Sequence, residues 1–157
     1  MIETRIPLSF TQSIGVNLSW GAVLEGFDRR LLAHDFARDK AIEELANGSN
    51  SLLVELAESG PNDSLRTKID ELASLESSPP DTERLLYVLV AFLRKHQSHV
   101  EHLLDLVEEV YADFDYPPCL VRAVRYMPMS GPDLGSREAN ESRMVAYLDE
   151  YLAKSPD

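Results

Sequence analysis

The sequence predicts an all-α fold, a single-domain multi-helix bundle over residues 1–157 built around one central apolar helix. Three observations carry this: apolar residues recur at three-four spacing along most of the chain, prolines and glycines punctuate it between those stretches, and Leu85–Leu93 is apolar on every side. A helix without a polar face is one that other helices surround. The expected total is about six to eight helices of ordinary length.

Along the chain, Ile6, Leu8, Phe10 and Ile14 fit either an extended segment or one helical turn, so the stretch up to Trp20 stays open. From Leu31 to Leu45, Leu31, Leu32, Phe36, Ala37, Ile42 and Leu45 form a helical stripe, and Asn47-Gly48 closes it. A short helix over Leu52–Glu58 stops at Gly60-Pro61. Asn62 or Asp63 caps the next, whose stripe is Leu65, Ile69 and Leu72, reaching toward Leu75. Ser77-Ser78-Pro79-Pro80 is a break, because proline lacks the amide donor and biases its predecessor away from helix.

Asp81 then caps the apolar helix, and Arg94-Lys95-His96 at its end suit the negative pole of the helix dipole. Leu86, Leu89 and Phe92 are expected in the core, as are Leu104 and Val107 of the following helix. That helix opens at Ser98-His99-Val100-Glu101, a capping box, and runs inward on Val100, Leu103, Leu104, Val107, Val110, Tyr111 and Phe114 until Pro117-Pro118. A short helix over Leu120–Tyr126 stops at Pro128. After a glycine-rich loop, Ser136 opens the last helix, with Met144, Val145, Leu148, Tyr151 and Leu152 facing in.

The composition excludes several functions. The chain carries 27 acidic and 15 basic residues, a formal charge of −12, which argues against nucleic acid as a partner. The single cysteine, Cys119, allows no internal disulfide and no multi-cysteine metal site. No apolar run approaches the roughly 20 residues that cross a bilayer, and Met1-Ile2-Glu3-Thr4-Arg5 does not read as a signal peptide, so a cytoplasmic protein with no membrane partner is expected. No phosphate-binding glycine loop, zinc-protease motif or nucleophile elbow occurs, so neither catalysis nor a cofactor is expected.

Isolated reactive residues read plainly. His96, His99 and His102 have the residue type for zinc, but a helix boundary falls among them and a solvated cluster is the plainer account, so no metal is expected. His34 stands alone and reads as partly buried. Cys119 has Arg122 three residues on, which lowers a thiol pKa, but no base lies nearby, and it reads as a small buried hydrophobe.

The acidic helix is more informative. Between Ser98 and Tyr116 stand Glu101, Asp105, Glu108, Glu109, Asp113 and Asp115, and no lysine or arginine. Like charges four apart repel, and acids at a helix C-terminus oppose its dipole, so helix stability alone does not favour this arrangement. One reading is a solvated face with Arg94, Lys95, Arg122 or Arg125 folded over it. The other is a docking surface for a basic protein, with Glu101, Asp105, Glu108 and Glu109 as the charges and Tyr116 as an anchor. Tyr111 and Tyr126 read as core residues with a wet hydroxyl. Arg122 and Arg125 are expected to share one short helix and to pair with Asp113 or Asp115, making a structural corner at Pro117-Pro118.

Tyr111-Ala112-Asp113-Phe114-Asp115-Tyr116-Pro117, followed by Val121-Arg122 and Arg125-Tyr126-Met127-Pro128, resembles the C-terminal signature of an uncharacterised bacterial domain family. Trp20 and the stretch Leu31–Leu45 also fall where that family places them. The resemblance implies a small, helix-rich cytoplasmic protein, in some cases encoded beside polymorphic or contact-dependent toxins as their immunity protein. It supplies no catalytic residues. The implied partner is a cognate, basic toxin domain; the alternative is a helical adaptor or regulatory subunit of a larger assembly.

Overall fold

A computed structural model describes residues 1–60, 64–76 and 81–156. Among them the chain is all helical: eight α-helices, one 3₁₀ turn and a single isolated parallel bridge, Ile6 to Leu32. It divides into two compact units, Glu3–Val88, and Leu89–Asp157 with Met1–Ile2; the boundary falls inside the apolar helix Thr82–His96.

The first unit holds α1 (Leu8–Ser13), α2 (Trp20–Asp28), α3 (Phe36–Leu45), α4 (Ser51–Ala57) and α5 (Leu65–Ser74). Sequence periodicity does not announce α2, because its packed residues, Trp20, Gly21, Ala22, Val23 and Gly26, include two glycines and lie on several sides. Its N-terminus is secured from both near and far. The Ser19 side chain accepts from the Ala22 amide, and the Glu76 carboxylate accepts from the amides of Trp20 (2.9 Å) and Gly21 (2.8 Å). An anion at this pole answers both the free amides and the helix dipole. The Trp20 indole donates to Glu44, which also pairs with the buried Lys40.

Two expectations are corrected in this unit. The helix expected from Leu31 begins only at Phe36: Leu31 and Leu32 lie alongside residues 4–6, with Ile6 N donating to Leu31 O and Ala33 N to Ile6 O. Their burial comes from that pairing, which three-four spacing cannot distinguish from a helical face. Ile42 and Leu75, read as inward, are exposed. Ile69 and Leu72 are buried as expected; Asn62, Asp63 and the Ser77–Pro80 break lie outside the described residues.

The helix α6 (Thr82–His96) starts where Asp81 accepts from the Arg84 amide at 3.1 Å, the expected cap. Leu85, Leu86, Val88, Leu89, Val90 and Leu93 are buried. Phe92 is half-buried instead of core, because it sits one turn from the helix end with its ring 4.1 Å from that of His96.

The second unit continues with α7 (Val100–Asp113), the 3₁₀ turn Pro118–Ala123 and α8 (Arg137–Ala153). Leu103, Leu104, Val107, Val110, Tyr111 and Phe114 are buried. The capping box does not form: His99 is the N-cap and its side chain makes no cap bond. The helix therefore begins one residue after the position that box requires, Val100 is exposed, and Glu101 turns to Arg137. Ser136 caps α8 through the Ala139 amide at 3.1 Å. Met144, Val145 and Leu148 face in, whereas Tyr151 and Leu152, in its last turn, are only half-buried.

Candidate partner-binding surface

The site is built by how α7 ends. After the cap residue Phe114, Asp115 and Tyr116 both adopt left-handed backbone, with φ 59° and 57°. Aspartate tolerates this region, but a tyrosine there costs on the order of 1 kcal/mol. The Tyr116 amide donates to Tyr111 O at 2.8 Å, satisfying a terminal helix carbonyl. The consequence is a tyrosine held outward: Tyr116 is 58% exposed, its ring edge-on to the buried Tyr111 at 5.4 Å.

The chain then passes through the 3₁₀ turn, which ends at Ala123, short of the expected Tyr126, because Val124 turns to extended backbone, φ −107° and ψ 117°. Arg125 thus lies beyond the turn and reaches back over α7. Its Nε donates to Glu108 at 2.8 Å, its Nη2 to the other Glu108 oxygen at 2.9 Å, and its backbone amide to Glu108 at 2.9 Å. A further bond runs from Nη2 to Asp105. These carboxylates, Glu108 first, hold the guanidinium above its ordinary pKa. The corner exists, but its partners are Asp105 and Glu108 instead of Asp113 or Asp115. Asp113 accepts from the Ile2 amide at 2.8 Å, and Arg122 pairs with Glu150 at 2.7 Å while its guanidinium lies 4.1 Å from the Tyr147 ring centre.

Tyr126, the residue after Arg125, also packs on Tyr111, centroid to centroid 6.2 Å. At 60% exposure it is not the core residue expected. Its phenol is pushed above the usual tyrosine range, first by partial loss of water and then by Tyr111, Tyr116 and Glu108. Two exposed tyrosines thus pack on one buried one.

The expected charges are placed as follows. Asp105 and Glu108 lie under Arg125, and Glu101 pairs with Arg137 at 3.0 Å. The ridge, free of bases in sequence, is covered by two arginines in space. Glu109 and Asp115 are exposed and make no ion pair among the described residues. Of the five residues read as a partner surface, Glu109 and Tyr116 are exposed without an ion pair among the described residues, whereas Glu101, Asp105 and Glu108 are paired with arginines. Tyr126 was missed because nothing local separates an outward tyrosine beside an arginine from an inward one.

Elsewhere, His96 Nδ1 lies 2.8 Å from Phe92 O, His99 stands at the N-cap position of α7 without a cap bond, and His102 is exposed. Among the described residues, no three histidines, cysteines or carboxylates gather as a metal site. Cys119 and His34, expected buried or partly so, are exposed. No helix of the described residues is long and apolar enough to cross a membrane.

Residues 8–155 match the family model described as an uncharacterized protein conserved in bacteria (DUF2247). The chain belongs to that family. The match spans both units and includes Trp20, the Asp115-Tyr116 turn and Arg125, so the surface around Tyr116 lies within the family's own domain. No curated protein and no solved structure matches the chain.

Proposed function

We propose that this protein is a cytoplasmic immunity protein that binds a cognate basic toxin domain one to one and covers its working surface. The observation that carries the reading is the pair of outward tyrosines, Tyr116 and Tyr126, packed on buried Tyr111, with exposed Asp115 next to Tyr116 in the chain and exposed Glu109 on the same helix as Tyr111. Tyrosine anchors supply large contact area at low entropic cost and are enriched among residues that dominate binding energy. Left-handed backbone at Tyr116 holds its ring in place before any partner arrives, which lowers the ordering cost of association. Carboxylates beside such anchors favour arginine and lysine on the partner and disfavour acidic competitors.

The net charge of −12 contributes at longer range, drawing a cationic domain toward the protein at low salt. The test is co-expression with the products of the genes flanking its own, one of which the proposal expects to be toxic, followed by purification of the pair. Restored growth and a one-to-one complex are expected. A toxin that remains active without forming a complex would overturn the proposal, as would binding to an unrelated cytoplasmic assembly in its place.

A further inference from the structure

The geometry points to a second binding site, in the Glu3–Val88 unit, for a small phosphate ester with a heterocyclic body, the size of a nucleoside monophosphate. A cavity of about 620 Å³ opens between residues 3–5 and the segment that follows α2. That volume is within the roughly 300–1,000 Å³ usual for small-ligand sites. Thr4 N donates to Arg30 O, Ile6 N to Leu31 O and Ala33 N to Ile6 O, so the two segments run side by side. Ile6 and Leu31 are buried, while Glu3, Thr4 and Arg5 on one segment and Arg30 and Leu32 on the other line the cavity. His34 joins them at the rim, and Phe27 with Leu32 supplies the apolar wall.

This lining reverses the sign of the chain. Two arginines and a histidine face one carboxylate, Glu3, in a protein of net charge −12. The arginines are not consumed by internal pairs. Arg5 makes no ion pair among the described residues, and Arg30 meets Glu3 at 3.5 Å with both side chains largely exposed. Arg30 is also left-handed, φ 60°, closing α2 through its amide on Phe27 O. Glycine would make that turn without strain, so arginine costs backbone energy and adds a guanidinium to the cavity.

Guanidinium forks match phosphate oxygens, and an aromatic wall takes a planar heterocycle. The surrounding negative charge disfavours a polyanion such as nucleic acid, whereas two local arginines suffice for one phosphate group. The class is therefore a mononucleotide-sized monoester.

The experiment is amide NMR titration of the full chain at low salt with adenosine monophosphate and, separately, inorganic phosphate. Adenosine monophosphate should shift Arg5, Leu32 and His34, and inorganic phosphate should shift the same amides with about tenfold weaker affinity. Arg5→Gln and Arg30→Gly should each weaken adenosine monophosphate by about tenfold or more. Arg30→Gly should keep or raise the melting temperature, which separates lost binding from lost folding. Absence of shifts at these amides with either probe would overturn the site. Equal affinity for the two probes would overturn the heterocyclic body, and full binding by Arg30→Gly would overturn the role of the strained arginine.

Discussion

Replacing Arg125 by alanine should destabilise the protein by about 2–3 kcal/mol, and the geometry says where that energy resides. Exposed ion pairs contribute about 0–1 kcal/mol, and breaking a buried one costs about 3–5 kcal/mol. The side chains of Arg125 and Glu108 are 22% and 20% exposed, so this pair lies between those limits. It is bidentate, and the same carboxylate accepts the Arg125 amide, so three bonds converge on Glu108. Asp105 is much more exposed and should contribute little. For a chain of this size the loss corresponds to roughly 4–10 °C in melting temperature. Urea unfolding of Arg125→Ala, Glu108→Ala, Asp105→Ala and the two double variants measures the couplings. Arg125 with Glu108 should couple by about 1–2 kcal/mol, and Arg125 with Asp105 by less than about 0.5 kcal/mol. A coupling to Glu108 indistinguishable from zero, or a larger one to Asp105, would refute this account of the corner.

Leu89→Ala, at a fully buried position of α6, should cost about 2–5 kcal/mol in the same unfolding assay. Glu76→Ala removes the distant carboxylate from the first amides of α2; a loss of about 1–2 kcal/mol is expected, with faster amide exchange at Trp20 and Gly21. Asp133 should titrate below the ordinary aspartate range, because the Asn140 amide, then the Gly135 amide and Arg143 favour its charged form. A depressed folded pKa gives stability that is present above the unfolded pKa and lost as pH falls through the folded value. Exchange at Gly135 should accordingly quicken on acidification, and Asn140→Ala should move the Asp133 titration, followed by carboxyl NMR, upward.

Local rules reach only part of this molecule. The caps Asp81 and Ser136 and the stripes of α6, α7 and α8 were legible because each lies within one or two helical turns. Helix α2 was not, since its packed residues include two glycines and lie on several sides, and part of its N-terminal support comes from Glu76, more than fifty residues away. The paired segments at Ile6 and Leu31 mimic a helical stripe through burial alone. At the candidate surface, the acidic ridge could be read from spacing. Its covering by Arg125 and Arg137 could not, because those bonds span 17 and 36 residues. The outward turn of Tyr116 rests on a backbone conformation that tyrosine seldom adopts, and propensity argues against it.

The most direct test of the proposed function is the association rate of a toxic flanking-gene product at low and high salt, for wild type, Glu109→Lys and Tyr116→Asn. Asparagine accepts the left-handed backbone, so that variant removes the ring and leaves the turn intact. The wild-type rate should fall steeply with salt, and Glu109→Lys should slow association at low salt while sparing dissociation. Tyr116→Asn should leave association nearly unchanged and speed dissociation by about tenfold or more. A salt-independent rate, with Glu109→Lys associating and Tyr116→Asn dissociating like wild type, would contradict a partner site at Tyr116.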